Sequence, residues 1–304
     1  MLGLMMDVPL LITDLIRFAD RNHGDTEIVS KTVEGGMHRY TYRDAHSRAR
    51  RLAKALQALG LKRADRVGTL AWNGYRHYEL YYAISGIGAI INTINPRLFP
   101  DQIVYISNHA ENAALCFDLT FLPLVEKLAP QLNTIKHYVL MTDRGHMPAS
   151  TSIPKLLCYE ELMDKQDDRF EWPSFDERTA AALCYTSGTT GNPKGTLYAH
   201  RSTIIHAYGA ALPDALNLSA LDAVLPVVPM FHANAWSLPY ACTMVGAKMV
   251  FPGPHLDGKS VYDLIEQERV TLSAGVPTVW LMLLQHLSAN KVRFSTLNRT
   301  VIGG

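Results

Sequence analysis

YTSGTTGNPKG, Tyr185 to Gly195, gathers three glycines (Gly188, Gly191, Gly195), four hydroxyls (Thr186, Ser187, Thr189, Thr190) and one lysine (Lys194) into a short run. Glycine lets a backbone turn its N–H groups toward an anion at little steric cost. Hydroxyls donate to phosphate oxygens or ligate magnesium, and lysine adds a mobile point charge. The run therefore reads as a loop that holds phosphates. A Gly/Ser/Thr-rich surface linker has a similar composition. Pro193 argues against a linker, because its fixed φ sets how the neighbouring Lys194 leaves the backbone. The spacing excludes two common phosphate loops. A Walker A loop needs Gly-Lys-Ser/Thr after four residues, whereas Gly191 is followed by Asn192, Pro193, Lys194 and Gly195. No GxGxxG opens a helix either.

Outward from this run, the apolar stretch Ala180 to Tyr185 predicts a strand with the loop at its carboxyl end, and a helix-like segment follows. Ligands in open α/β sheets gather at such ends. Short apolar strands alternate with helices on both sides, for instance near Arg66, Ala113, His137, Ala223, Lys248, Thr271 and Thr300. That alternation predicts an α/β fold of layered, parallel-type sheets flanked by helices. Thr41 precedes a helix with an apolar stripe Ala45, Ala49, Leu52, Leu56, Leu59, and Gly60 supplies its stop. We expect a first α/β subdomain over 1–179, ending in a polar, proline-bearing connecting excursion over 142–179. A second subdomain over 180–304 carries the phosphate loop.

At 304 residues the chain has room for one large or two medium domains. Twenty-nine basic against 28 acidic residues leave no field that would attract nucleic acid or an anionic membrane. Arg48, Arg50, Arg51, Lys54, Lys62 and Arg63 read as a solvated helix face. Cys116, Cys158, Cys184 and Cys242 lie far apart, with no CxxC, and predict buried, reduced thiols of a cytoplasmic protein rather than a disulfide or zinc framework. The N-terminus carries Asp7 and Asp14 with no positive flank, unlike a secretory signal. The apolar stretch Val270 to Leu287 is too interrupted for a transmembrane segment.

The motif resembles the phosphate-loop signature of the adenylate-forming enzymes: acyl-CoA synthetases, luciferases and peptide-synthetase adenylation domains. A hydroxyl pair followed by G-T-T-G-x-P-K-G is matched at every position from Thr186 to Gly195. GAIINTINPRL (Gly88 to Leu98), VPMFHANAW (Val228 to Trp236) and the terminal VIGG resemble further motifs of that superfamily, in the same order. The MFHANAW wording and the opening MLGLMMDVPLLITDLI look most like the branch of medium- and long-chain fatty-acid and methylmercaptopropionate CoA ligases.

This resemblance implies the large N-terminal domain of an acyl-CoA synthetase, truncated, without the small C-terminal domain and expected to be inactive alone. It implies ATP, Mg²⁺ and coenzyme A, with a fatty acid or other carboxylic acid as substrate. Thr186, Ser187, Gly188, Thr189, Thr190, Gly191 and Lys194 would grip the phosphates. Thr186 would stand nearest Mg²⁺ or the α-phosphate, and Lys194 would neutralise the leaving pyrophosphate. His232 would contact the α-phosphate or the substrate carboxylate. Trp236, one helical turn after His232, would wall the acyl tunnel. Gly303 and Gly304 would pass close to the acyl-adenylate, and Gly304 would open the adenine pocket. A strand-end hydroxyl, a satisfied core histidine, a core tryptophan and an ordinary glycine turn are the plain alternatives for these positions. A homodimer is expected from the resemblance alone. A nucleotide-binding module of another class, or a superfamily member with a carrier protein or oxygen as acceptor, is the alternative function.

Overall fold

The computed structural model describes residues 1, 3–186 and 192–303. Its strands are β1 (Glu27–Lys31), β2 (Met37–Thr41), β3 (Arg66–Leu70), β4 (Ile90–Thr93), β5 (Asn112–Phe117), β6 (His137–Leu140), β7 (Leu157–Cys158), β8 (Ala180–Thr186), β9 (Lys194–Ala199), β10 (Ala223–Pro226), β11 (Lys248–Phe251), β12 (Leu272–Gly275) and β13 (Arg299–Ile302). They form a six-stranded sheet, β13-β12-β10-β11-β1-β2, and a seven-stranded sheet, β7-β6-β5-β3-β4-β8-β9. All described pairings within the sheets are parallel except β1–β2 and β8–β9. Strands such as β4, β10 and β12 are buried at every position, as both faces of these sheets are covered.

The boundary expected between residues 179 and 180 does not separate these sheets. β1 and β2 join the six-stranded sheet with strands from the far end of the chain, and β8 and β9 join the seven-stranded sheet of the first half. Parallel strands cannot be joined by tight hairpins, so crossover order rather than chain order sets sheet membership.

Helix α1 (Ile12–His23) and helix α2 (Tyr42–Ala58) pack side by side, and helix α3 (Tyr75–Gly86) packs against both. Thr41 caps α2: its hydroxyl accepts the Asp44 N–H (3.3 Å), and the Asp44 carboxylate accepts the Thr41 N–H (2.9 Å). Gly60, at φ +85°, closes the other end, donating to the Gln57 carbonyl at 2.9 Å.

α3 is buried at all twelve positions. Its sequence, YRHYELYYAISG, has no polar stripe, the pattern of a helix packed on every side. Three of its tyrosines carry hydroxyls into the layer of the six-stranded sheet: Tyr78 to Thr243 Oγ1 (2.7 Å), Tyr81 to the Met230 carbonyl (2.5 Å) and Tyr82 to the Pro239 carbonyl (3.2 Å). Each buried phenol thus keeps a partner while its ring fills the core.

The basic residues of α2 do not form a solvated face. The 142–179 excursion folds back over them as β7 and the short helix Tyr159–Asp164. Arg48 reaches the fully buried Glu79 (2.7 Å) and Glu160 (3.0 Å), Arg50 reaches Asp168, Arg51 reaches Asp164 and two backbone carbonyls, and Lys54 reaches Asp167. The excursion is acidic where α2 is basic, which a reading of α2 by itself could not reveal. All four cysteines are buried and free. Among the described residues no helix is long and apolar enough to cross a membrane.

Candidate active site

β8 is buried from Ala181 to Cys184 and emerges at the exposed Thr186. Between the run and the helix expected after it, Lys194–Ala199 returns as β9, antiparallel to β8, with Lys194 opposite Thr186 and Gly195 opposite Tyr185. Thr196 and Tyr198 suit a pleated strand, and the helix begins only at His200. A Cβ on Gly195 would lie 2.9 Å from Leu183 Cδ1 and 3.2 Å from Tyr185 Cζ, so glycine here lets the hairpin close over these side chains without displacing them. Ser187, Gly188, Thr189, Thr190, Gly191 and Gly304 lie outside the described residues.

His232 follows β10 on a segment that is anchored at almost every step. Val227 N and Val228 N both donate to the Ala274 carbonyl at 2.8 Å. Asn73, from the β3–α3 junction, donates Nδ2 to the Pro226 (2.8 Å) and Val228 (2.9 Å) carbonyls and accepts Met230 N on Oδ1 at 2.7 Å. Tyr81 binds the Met230 carbonyl, and Thr93 Oγ1 donates to the Phe231 carbonyl at 3.3 Å. The His232 ring itself is exposed.

Beyond it the backbone turns left-handed. Ala233, Asn234, Ala235, Trp236 and Ser237 have φ of 42°, 51°, 51°, 54° and 66°. A left-handed conformation costs roughly 1–2 kcal/mol per L-residue, and non-glycine residues adopt it singly as a rule. Trp236 therefore does not stand one α-helical turn above His232 on a shared face, as its spacing suggests. The right-handed helix begins only at Leu238 and runs to Val245. The turn is held by buried Asn234, whose Oδ1 accepts the Cys184 thiol at 3.4 Å and the Tyr81 hydroxyl at 3.5 Å. Burial pushes the Cys184 thiol pKa up, so the sulfur remains a protonated donor. Cys184 stands two residues before Thr186 and Asn234 two after His232, so this contact ties the hairpin to the histidine segment.

Trp236 lies on the wall of an apolar cavity of about 380 Å³, with Ala210, Leu216, Leu238, Ala274 and Val301. Gly303 packs on its indole: a Cβ there would come within 3.1 Å of Trp236 Cη2. The site thus brings together Thr186 with Lys194, and Trp236 with Gly303. Asn73, Tyr81, Thr93 and Cys184, which hold the histidine segment, carry no sequence signal, because their partners are 50 to 157 residues away. Among the described residues no group of three or more His, Cys, Asp and Glu could hold a metal ion.

A glycine–hydroxyl–lysine run that follows the carboxyl end of a sheet strand is the mark of a class of nucleotide-dependent α/β proteins. The chain belongs to the AMP-binding enzyme family, which matches residues 16–304. It is 54% identical over its whole length to a 3-methylmercaptopropionyl-CoA ligase of Ruegeria lacuscaerulensis and 50% identical to a medium-chain-fatty-acid–CoA ligase of Ectopseudomonas oleovorans, in each case covering 56% of the relative. It is 47% identical over 300 residues to a long-chain-fatty-acid–CoA ligase of Thermus thermophilus, covering 99% of this chain and 54% of that one. The chain thus spans about half the length of the curated relatives it matches. The crystal structure of an anthranilate CoA ligase in complex with anthranoyl-AMP superposes with a TM-score of 0.84 at 24% identity, over 97% of this chain and 56% of that one. The fold is the one shared by the N-terminal domains of adenylate-forming enzymes.

Proposed function

We propose that this chain is the part of an AMP-forming acyl-CoA ligase that grips ATP and the acyl group. A substrate carboxylate oxygen attacks the α-phosphorus of ATP, and pyrophosphate leaves. The thiol of coenzyme A then attacks the acyl carbonyl, and AMP leaves. Both steps build negative charge on oxygen, so fixed donors and cations supply most of the help.

The observation that carries this reading is the pairing of Thr186 with Lys194 across the mouth of the hairpin. In the proposal Thr186, Ser187, Gly188, Thr189, Thr190 and Gly191 hold the phosphates, and Lys194 neutralises pyrophosphate as it departs. His232 meets the α-phosphate or the carboxylate. Magnesium that arrives on ATP needs only one or two protein oxygens, and the exposed Thr186 hydroxyl is a hard donor of that kind. When bound, the ion would offset charge on the phosphate oxygens. Gly303 and Gly304 leave room for the adenylate beside Trp236.

The acyl group is a medium- or long-chain fatty acid in this reading. The apolar lining around Trp236 supports it, and the cavity volume falls within the roughly 300–1,000 Å³ of small-molecule pockets. The 54% identity to a 3-methylmercaptopropionyl-CoA ligase favours a second reading, a short thioether acid. A homodimer and a cytoplasmic location belong to the proposal through the family resemblance.

The test is AMP and thioester formation with acids of graded length, by a polypeptide of the relatives' full length that carries this domain. Carboxylate-dependent pyrophosphate exchange followed by CoA thioester release is expected. Adenylation without transfer to CoA would redirect the reading to another acceptor. ATP binding with no carboxylate-dependent exchange would leave a nucleotide-binding module and sink the ligase reading.

A further inference from the structure

We propose that Asn73 is a positioning residue for His232, acting across the interface between the two sheets. The proposal rests on the reading of His232 given above. β10 ends at Pro226, and Pro229 follows, so regular strand pairing stops short of the histidine. Val228 and Met230 are nonetheless buried, at 1% and 0% exposure. Unpaired backbone groups at that depth are costly. Asn73 supplies the missing partners from another element: both hydrogens of its amide go to the carbonyls of Pro226 and Val228, and its oxygen takes the N–H of Met230.

One carboxamide thus fixes three alternate residues of the segment, the last two places before His232. Its own backbone is fixed in turn, because Gly253 N donates to the Asn73 carbonyl at 3.0 Å. Asn73 is 5% exposed and its amide has no hydrogen left over. Its hydrogen bonds to the histidine segment all go to backbone atoms. Its effect on chemistry therefore passes through where His232 stands, and through the left-handed turn that His232 enters.

The test is NMR of the chain with isotope-labelled histidine, the His232 signal being assigned by its loss in His232→Gln. In Asn73→Ala the His232 ring signal shifts or splits, and the Met230 amide exchanges at least about tenfold faster. Tyr82→Phe is the control: it removes a buried bond from α3 to the Pro239 carbonyl, and it lowers the melting temperature with the His232 signal in place. Asn73→Asp, of the same shape, keeps the acceptor for Met230 N and loses the donors to the two carbonyls. There the Met230 amide stays protected while the His232 signal still moves, which serves the case in which the alanine variant does not fold. An unmoved His232 signal in the folded Asn73 variants, or an equal shift in Tyr82→Phe, overturns the proposal. Displacement of His232 together with an unaltered pyrophosphate exchange in full-length His232→Gln would uphold Asn73 and remove the chemical reading of His232.

Discussion

Lys194 stands directly across the β8–β9 ladder from Thr186. Residues opposed in this way point to the same face, with Cβ atoms roughly 4.5–5.5 Å apart. A hydroxyl and a cationic side chain are therefore presented together at the point where the chain enters and leaves the phosphate run. If the proposed function holds, Lys194→Ala in a polypeptide of the relatives' full length is expected to slow adenylation about 10²-fold. Thioester formation from supplied acyl-adenylate should change far less, since no pyrophosphate leaves in that step. Rapid-quench measurement of the two half-reactions separates them, and equal losses would refute the role.

Gly303 against the Trp236 indole makes a second prediction. A methyl group at 303 would crowd the ring, which lines the cavity and must give by a few tenths of an ångström. Gly303→Ala is expected to lower kcat/KM for the longest accepted acid about 10–200-fold, as a pocket shortened by a methylene or two would. The shortest acid should lose much less. A uniform loss along a graded acid series would place the effect on folding instead.

The two ends of the basic stripe on α2 differ in kind. Arg48 holds the fully buried Glu79, whereas Lys54 pairs with the exposed Asp167. Arg48→Ala leaves a buried carboxylate without its cation and is expected to cost about 3–5 kcal/mol. Lys54→Ala should cost at most about 1 kcal/mol. Urea unfolding of the two variants reads the difference, and similar losses would contradict the burial of the Arg48–Glu79 pair.

Two buried groups near the β3–α3 junction titrate with opposite effect on stability. His77 donates Nδ1–H to the Trp72 carbonyl and accepts Thr69 Oγ1 on Nε2, and burial lowers its pKa to about 4. The unfolded chain therefore binds the proton first, and the contribution of His77 is present above about pH 6.5 and lost as pH falls toward 4. Asp118 is pushed up to about 7, chiefly by burial. Its contribution is present below the usual carboxylate range and lost as pH rises through about 7. His77→Gln should remove stability that grows with pH across this window, and Asp118→Asn stability that declines with it. Melting temperatures of both variants and the parent from pH 4 to 7.5 test the signs.

The phosphate run, the alternation of strands and helices, and the cap at Thr41 were legible because each is written in adjacent residues. Sheet membership was not. β1 and β11 pair across more than two hundred residues, and nothing local in EIVSK or KMVF names the other as partner. The left-handed turn at Ala233–Ser237 was illegible for a different reason. ANAWS contains no glycine, so its local preference is right-handed, and the conformation is imposed by side chains from elsewhere, Cys184 and Tyr81 on Asn234 among them. Asn73 drew no attention in the sequence, because its side chain serves a segment more than 150 residues away.

Helix α3 has no face toward water; its chain joins β3 to β4 of the seven-stranded sheet, and its tyrosines are fastened to the layer of the six-stranded one. Neither layer can be drawn away without stripping apolar surface and phenol partners from the other. The two sheets should therefore melt in a single step, and limited proteolysis should find no cut that frees one as a stable product. A body of this kind answers a load as one piece, with no hinge between its own sheets.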